Sequence, residues 1–214
     1  MLKVGLTGGI ASGKSAVGEM FVALGAYLVQ ADHIAHSLMR PGEAVYNEVV
    51  GHFGREILNP DGSINRAKLA EAAFGSGSGQ GDRASRVAEL NRIVHPGVIR
   101  SQEEWMEAIG LEHPQGVAIV EAALILEAGA GKRFDRLVVV TCNEEQRAAR
   151  LAARQKISLE AARAEVTRRM AAQWPDEEKI KAADYVIDNS GPLERTREQV
   201  SQVWAKLRAE AAQP

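Results

Sequence analysis

Gly8-Gly9-Ile10-Ala11-Ser12-Gly13-Lys14-Ser15 is a complete G-x-x-x-x-G-K-S. Glycines with one lysine and one hydroxyl at this spacing suit a polyphosphate. Glycines let backbone N–H groups turn inward around phosphate oxygens, and the N-terminus of a following helix adds its positive end. In such a loop Lys14 reaches the β- and γ-phosphates, and the Ser15 hydroxyl lies on Mg²⁺. The motif carries weight only where a strand precedes it and a helix follows. Residues 2–7 are short and apolar, as a buried first strand should be. Over 15–24, Val17, Met20, Phe21 and Leu24 recur at helical spacing, and Gly25 makes a stop. Gly8, Gly9, Ala11, Ser12, Gly13, Lys14, Ser15 and Ala16 are therefore expected to line a nucleotide phosphate site, with Ser15 as the metal ligand.

Other side chains qualify by position. Asp32 lies just past a short second strand over 27–30. Polar residues at the carboxyl ends of strands in open α/β sheets face the ligand crevice. Asp32 can take the proton of an attacking hydroxyl, help hold Mg²⁺ through water, or simply cap its helix. Arg147, Arg150 and Arg154 are three and four residues apart, on one helical face. Planar guanidiniums suit charge spread over a transferring phosphoryl group, which reads as a lid. The same row also fits a solvated helix paired with Glu144 and Glu145. Glu121 and Glu127 follow or close the third strand, where one can stand in the second shell of Mg²⁺, although the strand lacks the aspartate of a typical Walker B ending. His33 and His36 lie three apart without a third ligand, so a metal site is not expected there. Arg66 and His95 are isolated, and His95, before Pro96, reads as structural unless it meets an anionic substrate.

These residues need a scaffold. The chain has 214 residues, 45% of them hydrophobic, enough for one domain with lobes. With 26 basic and 28 acidic residues the net charge is −2, which gives no reason to expect nucleic acid or an anionic membrane as partner. Apolar runs are strand-sized rather than membrane-spanning. With a strand expected from residue 2, no signal peptide is expected, and Cys142 is the only cysteine, so no internal disulfide is expected. A cytoplasmic protein is expected.

Strands are expected over 2–7, 27–30, 116–121, 136–141 and 184–188, the fourth nearly all β-branched, as a strand covered on both faces should be. Helices are expected over 32–40, 43–53 and 67–74, from Pro96 to about 113, in a long arginine-rich stretch after Asn143, and over 194–211. Residues 124–127 fit a helix or a turn. Asn59-Pro60-Asp61-Gly62 is a turn signal, and 75–81 reads as a flexible surface connection. The fold class is α/β: a three-layer P-loop fold with a five-stranded parallel sheet, a helical acceptor-binding lobe and an arginine-bearing lid. The expected organisation is one domain over 1–214, with the lobe at about 32–114 and the lid at about 147–175.

Among phosphate chemistries, a GTPase switch needs a guanine-reading N-K-x-D, which is absent. A nucleic-acid motor needs a conventional Walker B and usually more chain. A small-molecule kinase needs a P-loop, an acceptor lobe and an arginine lid. The residues also carry a resemblance. Leu6-Thr7-Gly8-Gly9-Ile10-x-Ser12-Gly13-Lys14-Ser15, Ala31-Asp32-x-Ile34-Ala35, Asp61-Gly62-Ser63-Ile64-x-Arg66, Leu90-Asn91-x-Ile93-Val94-His95-Pro96 and Ala183-Asp184-Tyr185-Val186-Ile187-x-Asn189-x-Gly191 run through most of the chain. Together they resemble the dephospho-CoA kinases.

The resemblance implies ATP and Mg²⁺, with transfer to the ribose 3′-hydroxyl of dephospho-coenzyme A to give coenzyme A, the last step of that synthesis. It assigns Asp32 as base, Lys14 and Ser15 to the triphosphate and its metal, and Arg150 and Arg154 to a lid over ATP, Arg150 acting in catalysis. Arg66 and His95, with Asp32, go to the acceptor side. The alternatives are a P-loop kinase for another nucleotide or small alcohol, or a nucleotide-binding regulatory module. Oligomeric state is open, with a monomer favoured. Four departures stand out. Ala11 replaces a loop glycine, tolerable if its φ is negative. Gln30 replaces an aspartate, removing that carboxylate from any metal role. The 121–127 segment loses a proline and a phenylalanine, and Arg147 stands where a glutamine is common.

Overall fold

The computed structural model describes the backbone of residues 1–74 and 80–213, and their side chains except those of 74 and 80–85. The chain forms two compact units, Met1–Gln30 with Met106–Pro214, and Ala31–Trp105. Of the 75–81 connection, residues 75–79 lie outside the described residues.

The first unit is built on a five-stranded sheet in the order β2-β3-β1-β4-β5, with every pairing parallel. Its strands are β1 (Leu2–Thr7), β2 (Tyr27–Gln30), β3 (Val117–Glu121), β4 (Arg136–Thr141) and β5 (Tyr185–Asp188). Alternation divides each central strand between two cores. Val4, Leu6, Val117, Ile119, Val138 and Val140 face one side, where they pack with Val17 and Phe21 of α1 (Lys14–Ala23) and Val200 and Leu207 of α9 (Leu193–Ala211). Leu137 and Val139 face the other, against Ile125 and Phe134. A strand buried on both faces can be apolar at every position, which is why β3 and β4 read so cleanly. The register sets Gln30 beside Glu121, and Glu121 beside Leu6, at the carboxyl ends of three adjacent strands. Residues 123–129 form turns rather than a helix.

The arginine-rich stretch is two helices, α6 (Glu144–Gln155) and α7 (Leu159–Met170), rather than one. Lys156 ends α6 in the left-handed region, and the Ser158 hydroxyl caps α7 by accepting from the Ala161 N–H. A short helix, α8 (Asp176–Lys181), leads into β5. Ile10, beside the glycine loop, is packed in one cluster with Leu151 of α6 and Ala162 and Val166 of α7.

The second unit is helical: α2 (Ala31–Leu38), α3 (Ala44–Phe53), α4 (Arg66–Phe74) and most of α5 (Gln80–Glu112). Val45, Val49, Phe53, Ile57, Leu69, Val94 and Val98 form its core. α5 runs straight through Pro96, where a new helix was expected to begin. Proline removes one backbone donor, and the remaining ladder over 33 residues carries the helix across the gap. Before α4, the turn is fixed by its own side chains. Asn65 Nδ2 donates to Asn59 Oδ1 at 2.8 Å, Ser63 Oγ donates to Asp61, and Leu58 bridges Ile64. Asn65 Oδ1 also accepts the N–H groups of Ala67 and Lys68, so one residue closes the turn and caps the helix that begins at Arg66. Among the described residues no helix is long and apolar enough to cross a membrane.

Asn65→Ala removes both roles, and urea unfolding should show the helical unit weakened by about 1–2 kcal/mol, the usual worth of an N-cap.

Candidate active site

The glycine loop joins β1 to α1, and the positions of its carbonyls organise it. Ser12 O accepts from Asn189 Nδ2 at 2.8 Å and from an Arg150 terminal nitrogen at 3.2 Å. Ile10 O accepts from an Arg147 terminal nitrogen at 3.1 Å. Lys14 Nζ donates to Gly8 O at 3.0 Å and Gly9 O at 3.3 Å, so the ammonium lies over the loop it follows. Gly13 has φ 94°, and a Cβ there would stand 2.1 Å from Asn189 Nδ2. Only glycine fits under that amide. Ala11 has φ 52°, not the negative value expected of an alanine in this loop. Its neighbours on both sides are pinned through their carbonyls, and it packs against the Ile10 cluster of α6 and α7, which offsets the cost of the left-handed conformation.

At the end of the loop, Ser15 Oγ donates to Glu121 Oε1 at 2.8 Å. Gln30 Nε2 donates to the other oxygen, Oε2, at 2.9 Å. Glu121 is 8% exposed, and these two bonds fix its carboxylate beside the serine. Glutamate thus occupies the strand end at which an aspartate was looked for, and Gln30 is its hydrogen-bond partner. Glu127 belongs elsewhere: its Oε1 pairs with fully buried Lys179 at 2.8 Å and accepts the Trp174 N–H at 3.0 Å.

The three arginines of α6 have three different surroundings. Arg147 is fully buried, Arg150 is half-buried, and Arg154 is exposed in the last turn of the helix. Arg150 also donates to Asn189 O at 2.9 Å and contacts Cys142 Sγ at 3.2 Å. Burial pushes the Cys142 thiol up in pKa, against the pull of Arg150 and Arg147, so it stays protonated and serves no nucleophilic role. Glu145 pairs with Arg163 rather than with these arginines. On α7, hydrogen bonds from Arg168 and Arg169 hold Glu165 at a pKa of about 2, so its carboxylate is charged throughout the neutral range.

Asp32, Arg66 and His95 belong to the helical unit, and all three are exposed. Asp32 is in the first turn of α2, Arg66 opens α4, and His95 is on α5. His36 links two of them electrostatically. Burial first, then the charge of Arg66, pushes its pKa below the ordinary imidazole value, while Asp32 pulls the other way. The imidazole is therefore neutral at pH 7. Among the described residues no three His, Cys, Asp or Glu side chains converge as a metal cluster.

Asn189 has no role in the sequence pattern, and Arg147 fits there either a lid or a solvated helix. Asn189 carries a signal in its place, immediately after β5 at the carboxyl edge of the sheet. Arg147 carries none, because two of its partners, Ile10 and Asp176, are remote in sequence and the near one, Cys142, offers only a backbone carbonyl.

A family model described as dephospho-CoA kinase matches residues 2–195. A dephospho-CoA kinase from Corynebacterium efficiens is 39% identical over 209 residues, covering 97% of this chain and 98% of the relative. One from Syntrophotalea carbinolica is 41% identical, covering 97% and 92%. The solved dephospho-CoA kinase of Campylobacter jejuni superposes with a TM-score of 0.68 at 26% identity, covering 97% and 98%.

Lys179→Met strands the buried Glu127 carboxylate and should cost about 3–5 kcal/mol in urea unfolding, whereas Lys179→Met with Glu127→Gln should recover part of that loss.

Proposed function

The chain belongs to the dephospho-CoA kinase family, and on that footing we propose roles for its residues in the ATP-dependent phosphorylation of dephospho-coenzyme A to coenzyme A. The observation that carries the assignment is the hydrogen-bonded row Ser15–Glu121–Gln30, set by sheet register at the end of the glycine loop. It offers a hydroxyl and a fixed carboxylate, both hard oxygen donors, beside a loop shaped for phosphate. These fit Mg²⁺, which would be held by Ser15 with Glu121 and would neutralise charge on the β- and γ-oxygens of ATP.

The remaining roles belong to the protein. The amides of residues 8–16 and Lys14 bind the triphosphate. Arg150, already tied to the loop through Ser12 O, adds positive charge where the phosphoryl group transfers, and Arg154 reaches ATP from the end of α6. Asp32, two residues beyond the strand end at Gln30, orients the 3′-hydroxyl of the acceptor ribose and accepts its proton. Arg66 and His95 bind the acceptor, with neutral His36 between Arg66 and Asp32 in charge terms. Phosphate passes directly and in line from ATP to the hydroxyl. The helical unit 31–105 supplies the acceptor side, and α6 with α7 closes over ATP. The enzyme is assigned to the cytoplasm as a monomer, and its near-neutral charge gives no reason for a nucleic-acid partner.

The test is ATP consumption with Mg²⁺ and dephospho-coenzyme A against AMP, cytidine monophosphate and shikimate. Turnover with the first alone, giving coenzyme A, is expected; ATP binding without turnover on any acceptor would instead mark a regulatory module. Asp32→Asn should lower kcat by about 10²-fold or more with ATP binding intact, and wild-type turnover in that variant would remove Asp32 from the base role. Lys14→Ala should lower both ATP affinity and turnover, and unchanged transfer would overturn the loop assignment.

A further inference from the structure

Resting on the ATP-binding role above, we propose that Arg147 is a positioning residue that sets the orientation of the Ile10–Ala11 peptide and, through it, the loop's affinity for polyphosphate. Arg147 is fully buried, and each guanidinium nitrogen has a partner. Nε donates to Cys142 O at 2.7 Å, one terminal nitrogen to Ile10 O at 3.1 Å, and the other pairs with Asp176. A buried guanidinium with these partners is satisfied in charge and hydrogen bonding, so it is a fixed post rather than a mobile lid side chain. It lies so close under the loop that a Cβ on Gly9 would stand 2.1 Å from its terminal nitrogen.

A trans peptide is planar, so its C=O and N–H point to opposite sides. Holding Ile10 O toward Arg147 turns the Ala11 N–H away from α6. Holding Ser12 O toward Asn189 and Arg150 does the same for the Gly13 N–H. The Ser12 N–H between them closes back on Gly9 O, and the amides of Ala11 and Gly13, turned inward on either side of it, contribute to an anion cradle. The two peptides differ in one respect. Gly13 tolerates its positive φ without penalty, but Ala11, at φ 52°, does not. A flip of the Ile10–Ala11 peptide would rotate that φ by about half a turn, out of the left-handed region to a negative value that an alanine side chain tolerates. It would also point the Ala11 N–H out of the cradle. The bond from Arg147 to Ile10 O opposes this flip, so Arg147 matters in this chain because residue 11 has a side chain.

The test uses full-length protein and calorimetric titration with ATP and, separately, dephospho-coenzyme A. Arg147→Met should weaken ATP binding about tenfold, the affinity equivalent of the left-handed penalty, and leave dephospho-coenzyme A binding unchanged. Adding Ala11→Gly to Arg147→Met should restore most of the lost ATP affinity, because glycine has no reason to flip. If Arg147→Met does not fold, Arg147→Met with Asp176→Asn removes the buried charge together with its partner and should show the same ATP-selective loss. Equal loss of both ligands, no loss of ATP binding, or no recovery with Ala11→Gly would each overturn the inference. Failure of the wild-type protein to bind ATP would instead overturn the phosphate-site reading beneath it.

Discussion

A loop that turns its N–H groups toward an anion must send its carbonyls in the opposite direction, and buried carbonyls require donors. Much of the first unit meets that requirement. Asn189 after β5, and Arg147 and Arg150 on α6, converge on Ile10 O and Ser12 O from the side opposite the amides. Asn189 is itself held, its Oδ1 accepting from Thr196 of α9. The sheet order, which sets β4 and β5 to one side of β1, is what brings these donors within reach. On the other side of β1, the register of β3 and β2 supplies Glu121 and Gln30.

The buried cations of the first unit are handled by pairing. Arg147 with Asp176 and Lys179 with Glu127 bury two cations near the loop and the sheet end, each beside a carboxylate. Such pairs add little net stability over an apolar core, but losing one partner is costly, so they hold geometry. Glu121 is the exception. Its oxygens accept from a hydroxyl and an amide, which leaves its negative charge without a cationic partner in that pair of bonds and suited to a divalent ion.

Much of this was legible in the residues. The strands of the sheet could be read because both faces of β3 and β4 are buried, so apolar β-branched residues run without interruption. The phosphate loop could be read because its spacing is dictated by backbone geometry. What escaped reading depends on contacts between distant segments. Arg147 fitted a lid or a charged surface row because two of its three partners are remote in sequence. The two glutamates at and beyond the end of the third strand were equivalent in the sequence, and only the register and the reach of Lys179 separate them. Ala11 was expected at negative φ from intrinsic preference, which the pinned carbonyls on either side override. Pro96 looked like a helix start because one lost donor is a strong local signal, whereas the rest of a long helix is a stronger collective one.

The donor that holds Ser12 O comes from a residue 177 positions further along, and the one that holds Ile10 O from 137 positions further. The nucleotide loop is therefore made well before the residues that fix its final shape. An emerging chain can pair neither β1 with β3 nor the loop with α6 until those later segments have been made. Loop-closure entropy over such spans makes those contacts slow to form, so the early segment waits as an unfinished hydrophobic strand. Nucleotide capture is in this sense a report that synthesis has reached the far end of the sheet.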